Sequence, residues 1–157
     1  MTSSHLETVI RTLRARIPVI DYLDLAVTDA RSECVRVEAP LAPSVNHRGT
    51  AFGPNVLTVA ALATWLRVVL NVQREARPAR VLLRSCEFSL LRPIATRFWS
   101  ECSEVVTWSL DPLVRGDRVQ LRLTTVVGVG TDCVGRYTGH FVLVPALDEG
   151  PEIELGR

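Results

Sequence analysis

Residues 53–75 restrict most strongly what this chain can fold into. Gly53-Pro54 opens a helix, because proline at the first helical position has no N–H to lose. From there Val56, Leu57, Val59, Ala60, Ala61, Leu62, Ala63, Trp65 and Leu66 are apolar on nearly every side of the helical wheel, and Pro78 marks the stop. Such a helix is buried on most faces rather than laid on a surface, so the rest of the chain has to wrap it. The run from Val56 to Val72 is broken by Thr58, Thr64, Arg67 and Asn71, which reads as too polar for a membrane span.

The wrapping material is strand. Ser4-His5-Leu6-Glu7 reads as a capping box, and Leu6, Val9, Ile10, Leu13 and Ile17 recur at helical spacing, so a first amphipathic helix runs from His5 to Arg16. Tyr22–Thr28 and Cys34–Ala39 are β-prone segments around a hairpin turn at Asp29-Ala30-Arg31-Ser32, and Pro40 and Pro43 close the second. Past the long helix, strands are expected over Val81–Ser89, Thr96–Val106, Arg118–Thr124 and Cys133–Val144, with a turn at Gly128–Asp132. Helix, two strands, a long buried helix and four strands are economically satisfied by one antiparallel sheet curled around a single helix. That is an α+β chain of the hot-dog architecture, which is usually a dimer with sites at the subunit interface. Residues 1–146 read as one such domain and 147–157 as a loose acidic tail.

Composition narrows the function classes. With 157 residues and a net charge of +1, nothing pulls the whole molecule toward nucleic acid or membrane. All 18 basic residues are arginine, which suits phosphate and carboxylate through two parallel hydrogen bonds. The four cysteines (Cys34, Cys86, Cys102, Cys133) have neither metal-site nor disulfide-framework spacing and read as buried free thiols. The start of the chain lacks a charged segment followed by an apolar core and a cleavage site. A cytoplasmic protein with no metal and no cofactor is expected.

The chemistry is expected at Asn46-His47-Arg48-Gly49-Thr50-Ala51-Phe52-Gly53-Pro54. A polar loop turning sharply into a buried helix gathers backbone N–H groups and side-chain amides at one point. Such a point suits a negative charge, on a ligand or developing on a carbonyl oxygen. Asn46 either supplies an amide donor there or closes its own loop. Thr50 and Thr58 read as helix-start and back-bonding hydroxyls or as substrate contacts. Gly53 is expected to be required by the tight turn, and Trp65 to sit in the core. Tyr137 and His140 are expected to pack or face solvent. Arg48, Arg80 and Arg84 either face solvent or bind the phosphate of a pantetheine arm or an acidic protein surface.

The segment Ala39-Pro40-Leu41-Ala42-Pro43-Ser44-Val45-Asn46-His47-Arg48-Gly49-Thr50-Ala51-Phe52-Gly53, with Ala60-Ala61-Leu62-Ala63-Thr64-Trp65, resembles the putative-thioesterase hot-dog family. That family includes the YiiD C-terminal-domain type and the malonyl-acyl-carrier-protein decarboxylases. The resemblance implies an enzyme acting on acyl-carrier-protein or CoA thioesters as a homodimer. Asn46, Gly53, Thr50 and His47 would be its catalytic groups, and Phe52, Asn55, Thr58, Arg48 and Arg84 its substrate contacts. Where the family carries a second glycine and a serine after Phe-Gly, this chain has Pro54-Asn55, which removes one N–H from the helix start.

Many hot-dog thioesterases place a carboxylate two turns into the central helix, yet no Asp or Glu occurs from Ala39 to Arg74. Losing carbon dioxide from a malonyl thioester needs donors on the thioester oxygen and no general base, so decarboxylation fits these residues better than hydrolysis. A hydrolase that positions water through Asn46 remains the alternative, with Glu87, Glu101 or Glu104 as candidates for a base supplied by the partner subunit. A non-catalytic acyl-thioester-binding module is the third reading. A dehydratase would need a His and a carboxylate around the helix.

Overall fold

The computed structural model describes residues 3–75, 79–103 and 108–146, without the side chains of 3–6 and Val9. Helix α1 spans Ser3–Arg16 and α2 spans Val19–Tyr22. Strand β1 is Ala26–Ala30 and β2 is Val35–Ala39, followed by a 3-10 turn at Ala42–Ser44 and helix α3 at Gly53–Arg74. Strands β3 (Ala79–Leu90) and β4 (Phe98–Cys102), helix α4 (Asp111–Val114), and strands β5 (Val119–Val129) and β6 (Asp132–Pro145) complete the chain. The six strands make one antiparallel sheet in the order β1-β2-β4-β5-β6-β3. Its concave side closes on α3, which touches all six strands, so the hot-dog expectation holds.

The period-two burial of the sheet fixes which side each residue takes. Phe98, Ser100 and Cys102 of β4, Leu123, Thr125 and Val127 of β5, and Tyr137, Phe141 and Leu143 of β6 are buried toward the helix. Against them α3 presents Val56, Val59, Ala60, Ala63 and Leu66, all fully buried. Leu57, Ala61 and Trp65 form another stripe of the same helix and are only half-buried. A single chain therefore does not wrap α3 completely. By length and composition α3 qualifies as a membrane span, contrary to the sequence reading, but 72% of its most apolar window is buried inside the fold. It is a core helix.

Several local expectations shift. The strand expected from Tyr22 begins only at Ala26, because residues 19–22 form a helical turn. That turn closes through Asp24 at φ +50°, with Leu25 N–H donating to Ile20 O. The first hairpin turn lies at Arg31–Cys34 rather than Asp29–Ser32, closed by Arg31 N–H donating to Cys34 O at 2.8 Å. Helix α3 holds this turn from below: Asn71 Nδ2 donates to Ser32 O at 2.6 Å and Arg74 to Ser32 Oγ at 3.1 Å. Strand β5 continues through Gly128, which pairs with Trp99 of β4 and leaves room for its ring where a side chain would stand, and the turn falls at Gly130, with φ +57°. All four thiols are free, but only Cys102 is buried; Cys34 is half-buried, and Cys86 and Cys133 are exposed. Pro78, the Glu104–Val106 end of the expected fourth strand, and the tail lie outside the described residues.

The two edges of the sheet differ. Strand β1 is five residues long, carries a bulge and is covered by α1. Strand β3 is twelve residues long and beyond Val81 is exposed almost throughout, including Leu82, Leu83 and Leu90. An uncovered apolar edge of that length is normally managed by pairing or covering it.

Candidate active site at the start of the central helix

The loop before α3 is built around Asn46. Its Oδ1 accepts from the Arg48 N–H at 2.8 Å and the Thr50 N–H at 3.3 Å, and its Nδ2 donates to Thr50 Oγ1 at 3.0 Å. Backbone bonds complete the turn, with Asn46 N–H donating to Thr50 O at 2.7 Å and Gly49 N–H to Asn46 O at 3.0 Å. Gly49 is the residue whose φ of +74° demands glycine. The remaining bond of the Asn46 amide, to Ala51 O, is long at 3.4 Å, outside the range of a strong N–H···O contact. One amide hydrogen is therefore only weakly held.

Two contacts fasten this loop, one to the 3-10 turn before it and one to the segment between β3 and β4. Phe52 N–H donates to Ser44 O at 2.6 Å, and Ala51 N–H donates to Ile94 O at 2.7 Å. The Ile94 contact joins positions 43 residues apart, and sequence reading missed it. It places the segment after β3 beside the helix start. Leu91 in that segment donates its N–H to Val134 O at 2.8 Å.

At the helix start, Phe52 is the N-cap and makes no side-chain cap bond, and the first turn holds no acid. The Asn55 and Val56 N–H groups both donate to Phe52 O, at 2.9 and 3.2 Å. Pro54 has no N–H. That leaves the Gly53 N–H without a protein acceptor among the described residues, at the positive end of a 22-residue helix. The expectation that the turn requires Gly53 fails. Its φ is not positive, and a Cβ built there meets nothing within 4 Å. What the missing side chain leaves is open space beside an unspent N–H.

The other predicted residues divide into two sets. His47 and Arg48 are exposed at the loop tip, Phe52 is half-exposed, and Asn55 is half-buried on the first turn. Thr58 Oγ1 donates to Pro54 O at 3.0 Å, so its proton is used within the helix. Arg84 is not brought to the loop within one chain. It sits at the β3 bulge, six residues and about 20 Å of strand before Leu90.

The two candidate bases among the described residues, Glu87 and Glu101, sit on the side of the sheet away from α3. Glu101 faces the convex side, 3.7 Å from Arg36, and Glu87 lies opposite Thr138 on that same side. Glu104 is outside the described residues. Tyr137 is buried on the concave side, where burial and then the Cys86 thiol push its pKa up, so it stays protonated. Among the described residues no three His, Cys, Asp or Glu side chains gather as a metal site.

The profile of a family described as putative thioesterase (yiiD C-terminal) matches residues 6–145. No curated protein matches the chain significantly. Among solved structures, a putative thioesterase of Shewanella oneidensis superposes with a TM-score of 0.83 at 24% identity, covering 92% of this chain and all of that one. A Chlorobaculum tepidum protein of unknown function gives 0.80 at 18% identity, covering 89% and 94%. A Haemophilus influenzae thioesterase gives 0.69 at 9% identity, covering 83% and 85%. At these identities the likeness is one of fold.

Proposed function

The chain belongs to this putative-thioesterase (yiiD C-terminal) family, and on that premise we propose that it acts on acyl thioesters by decarboxylating a malonyl-type group. The observation that carries the reading is the pairing of an unspent Gly53 N–H at the start of α3 with the absence of any carboxylate from residue 39 to 74. In the reaction, the bond between the substrate's carboxylate carbon and its α-carbon breaks. Carbon dioxide leaves and the electron pair passes into an enolate whose charge rests on the thioester oxygen. The Gly53 N–H receives that oxygen, and Asn46 adds its second amide hydrogen by releasing the long contact to Ala51 O. One such donor contributes about 3–4 kcal/mol to the transition state. The α-carbon is then protonated by solvent or by His47, exposed at the loop tip. Thr50 orients Asn46, and Phe52, Asn55 and Arg48 flank the bound thioester.

Hydrolysis is the second reading, and the convex-side placement of Glu87 and Glu101 weighs against it. Mass spectrometry of malonyl- and medium-chain acyl-carrier protein after incubation separates the two. Conversion of malonyl to acetyl carrier is the expected result. Release of free carrier thiol makes the protein a hydrolase, and an unchanged substrate makes it a binding module.

The working form in this reading is a cytoplasmic homodimer, with residues 1–146 as its domain. Two uncovered features of the single chain support it: the long β3 edge and the half-buried Leu57–Ala61–Trp65 stripe of α3, which packs on β3. A second copy pairing along β3 satisfies both, and a two-fold axis there sets each residue near the strand centre against its own counterpart. Leu83, close to that centre and 46% exposed, gives the test. Leu83→Asp is expected to shift the sedimenting species from dimer to monomer without unfolding the chain. A dimer unaffected by the charge would place the interface elsewhere.

A further inference from the structure

The convex side of the sheet carries its charges in two unlike halves. On β2, β4 and the residue just ahead of β4, basic groups are matched: Arg36 lies 3.7 Å from Glu101 and 4.1 Å over the Trp99 ring, and Arg97 lies 3.6 Å from Glu38. On β5, β6 and β3 the register sets Arg122 opposite His140, which is opposite Ser85, and sets Arg136 between Val126 and Ser89. Arg118 stands just ahead of β5. These three arginines are exposed and meet no carboxylate among the described residues. The acids along these strands are Glu87, opposite Thr138, and Asp132 at the start of β6, which pairs with Arg92 at 2.7 Å, while Asp117 beside Arg118 lies 3.5 Å from Arg115. Between the charges lie Leu82 and Val142, paired across β3 and β6, with Leu82 48% exposed.

We propose that this basic half of the convex face docks the acidic surface of the carrier protein that delivers the thioester; the inference rests on the thioester reading above. Size favours a protein over a nucleotide. From Arg136 to the Val144–Arg80 row is eight residues, about 26 Å along the strands, and three strands are about 10 Å across. Arginine spaced around exposed aliphatic side chains is also the composition of protein interfaces. A second copy of this chain would set like charges against each other, which disfavours that occupant. The patch also leads to the site: Arg136 is two residues from Val134, whose carbonyl holds Leu91 in the segment beside the helix start.

The test is the double variant Arg122→Glu/Arg136→Glu, with Arg97→Glu in the charge-matched half as control. Calorimetry with a phosphopantetheinylated acyl carrier protein reads docking directly, and kcat/KM is measured for malonyl-carrier and for malonyl-pantetheine, which has no protein to dock. The double variant is expected to weaken carrier binding and lower kcat/KM for malonyl-carrier roughly tenfold or more, with the pantetheine substrate unmoved and the control variant at wild-type levels. The proposal is overturned if the wild type does not bind the carrier, if the double variant binds as tightly as wild type, or if both substrates lose equally. Carrier binding that responds to the reversal with neither thioester consumed would sink the decarboxylase reading and leave the docking face standing. Turnover of malonyl-pantetheine without charge-dependent docking would do the reverse.

Discussion

Asn46→Asp is expected to keep the fold and lower decarboxylation at least about 10²-fold. The substitution retains the Oδ1 acceptor that holds the Arg48 and Thr50 N–H groups, so the loop keeps its shape. What disappears is the Nδ2 donor, and a negative charge takes its place where charge develops on the substrate. Losing one oxyanion donor costs about 10²–10³ in turnover, and adverse charge adds to that. Asn46→Ala removes the loop bonds as well, so it lowers the melting temperature together with the rate, and only the aspartate variant separates the two roles. Gly53→Ala is the companion: its methyl meets nothing in the chain, and alanine is the better helix former. It is expected to melt no lower than wild type while kcat/KM falls, because the methyl occupies the approach to the N–H. Steady-state kinetics beside thermal melts decide the matter. An Asn46→Asp enzyme at wild-type rate would reduce Asn46 to a loop fastener, and a fully active Gly53→Ala would move the oxyanion site away from the start of α3.

What the sequence disclosed about this site was local, and what it hid was not. The loop from Asn46 to Thr50 closes within five residues by side-chain and backbone bonds, so turn chemistry alone pointed to it. The length of α3 was equally readable, because helical periodicity and the Gly53-Pro54 start are properties of the segment itself. The fold followed from element order. The Ala51–Ile94 bond was hidden, since both partners are backbone groups and neither residue type announces it. Gly53 was misread for a related reason: glycine has two uses, a positive φ and an empty Cβ position, and one sequence does not say which. Here Gly49 takes the first use and Gly53 the second. The cysteines expected inside split because Cys86 lies on a strand that is an edge in one chain. An edge strand can carry the same sequence alternation as an interior one.

Burial within the chain separates the adjacent positions 65 and 66. Leu66 is fully buried under the sheet. Leu66→Ala is expected to cost about 2–5 kcal/mol, combining lost transfer energy with a cavity that the wrapped sheet cannot collapse. In a chain of 157 residues each kcal/mol moves the midpoint by about 2–4 °C, so the melt should fall by roughly 10 °C at any protein concentration. Trp65 is larger, yet it is half-buried in the stripe that the chain leaves uncovered. If that stripe is covered by a second copy, Trp65→Ala acts on association. Its melting temperature should approach the wild-type value as protein concentration rises, because assembly stabilises by mass action. Sedimentation and melts over a concentration series distinguish the two variants. A Trp65→Ala loss as large as that of Leu66→Ala and independent of concentration would mean that α3 is wrapped on every face by its own chain.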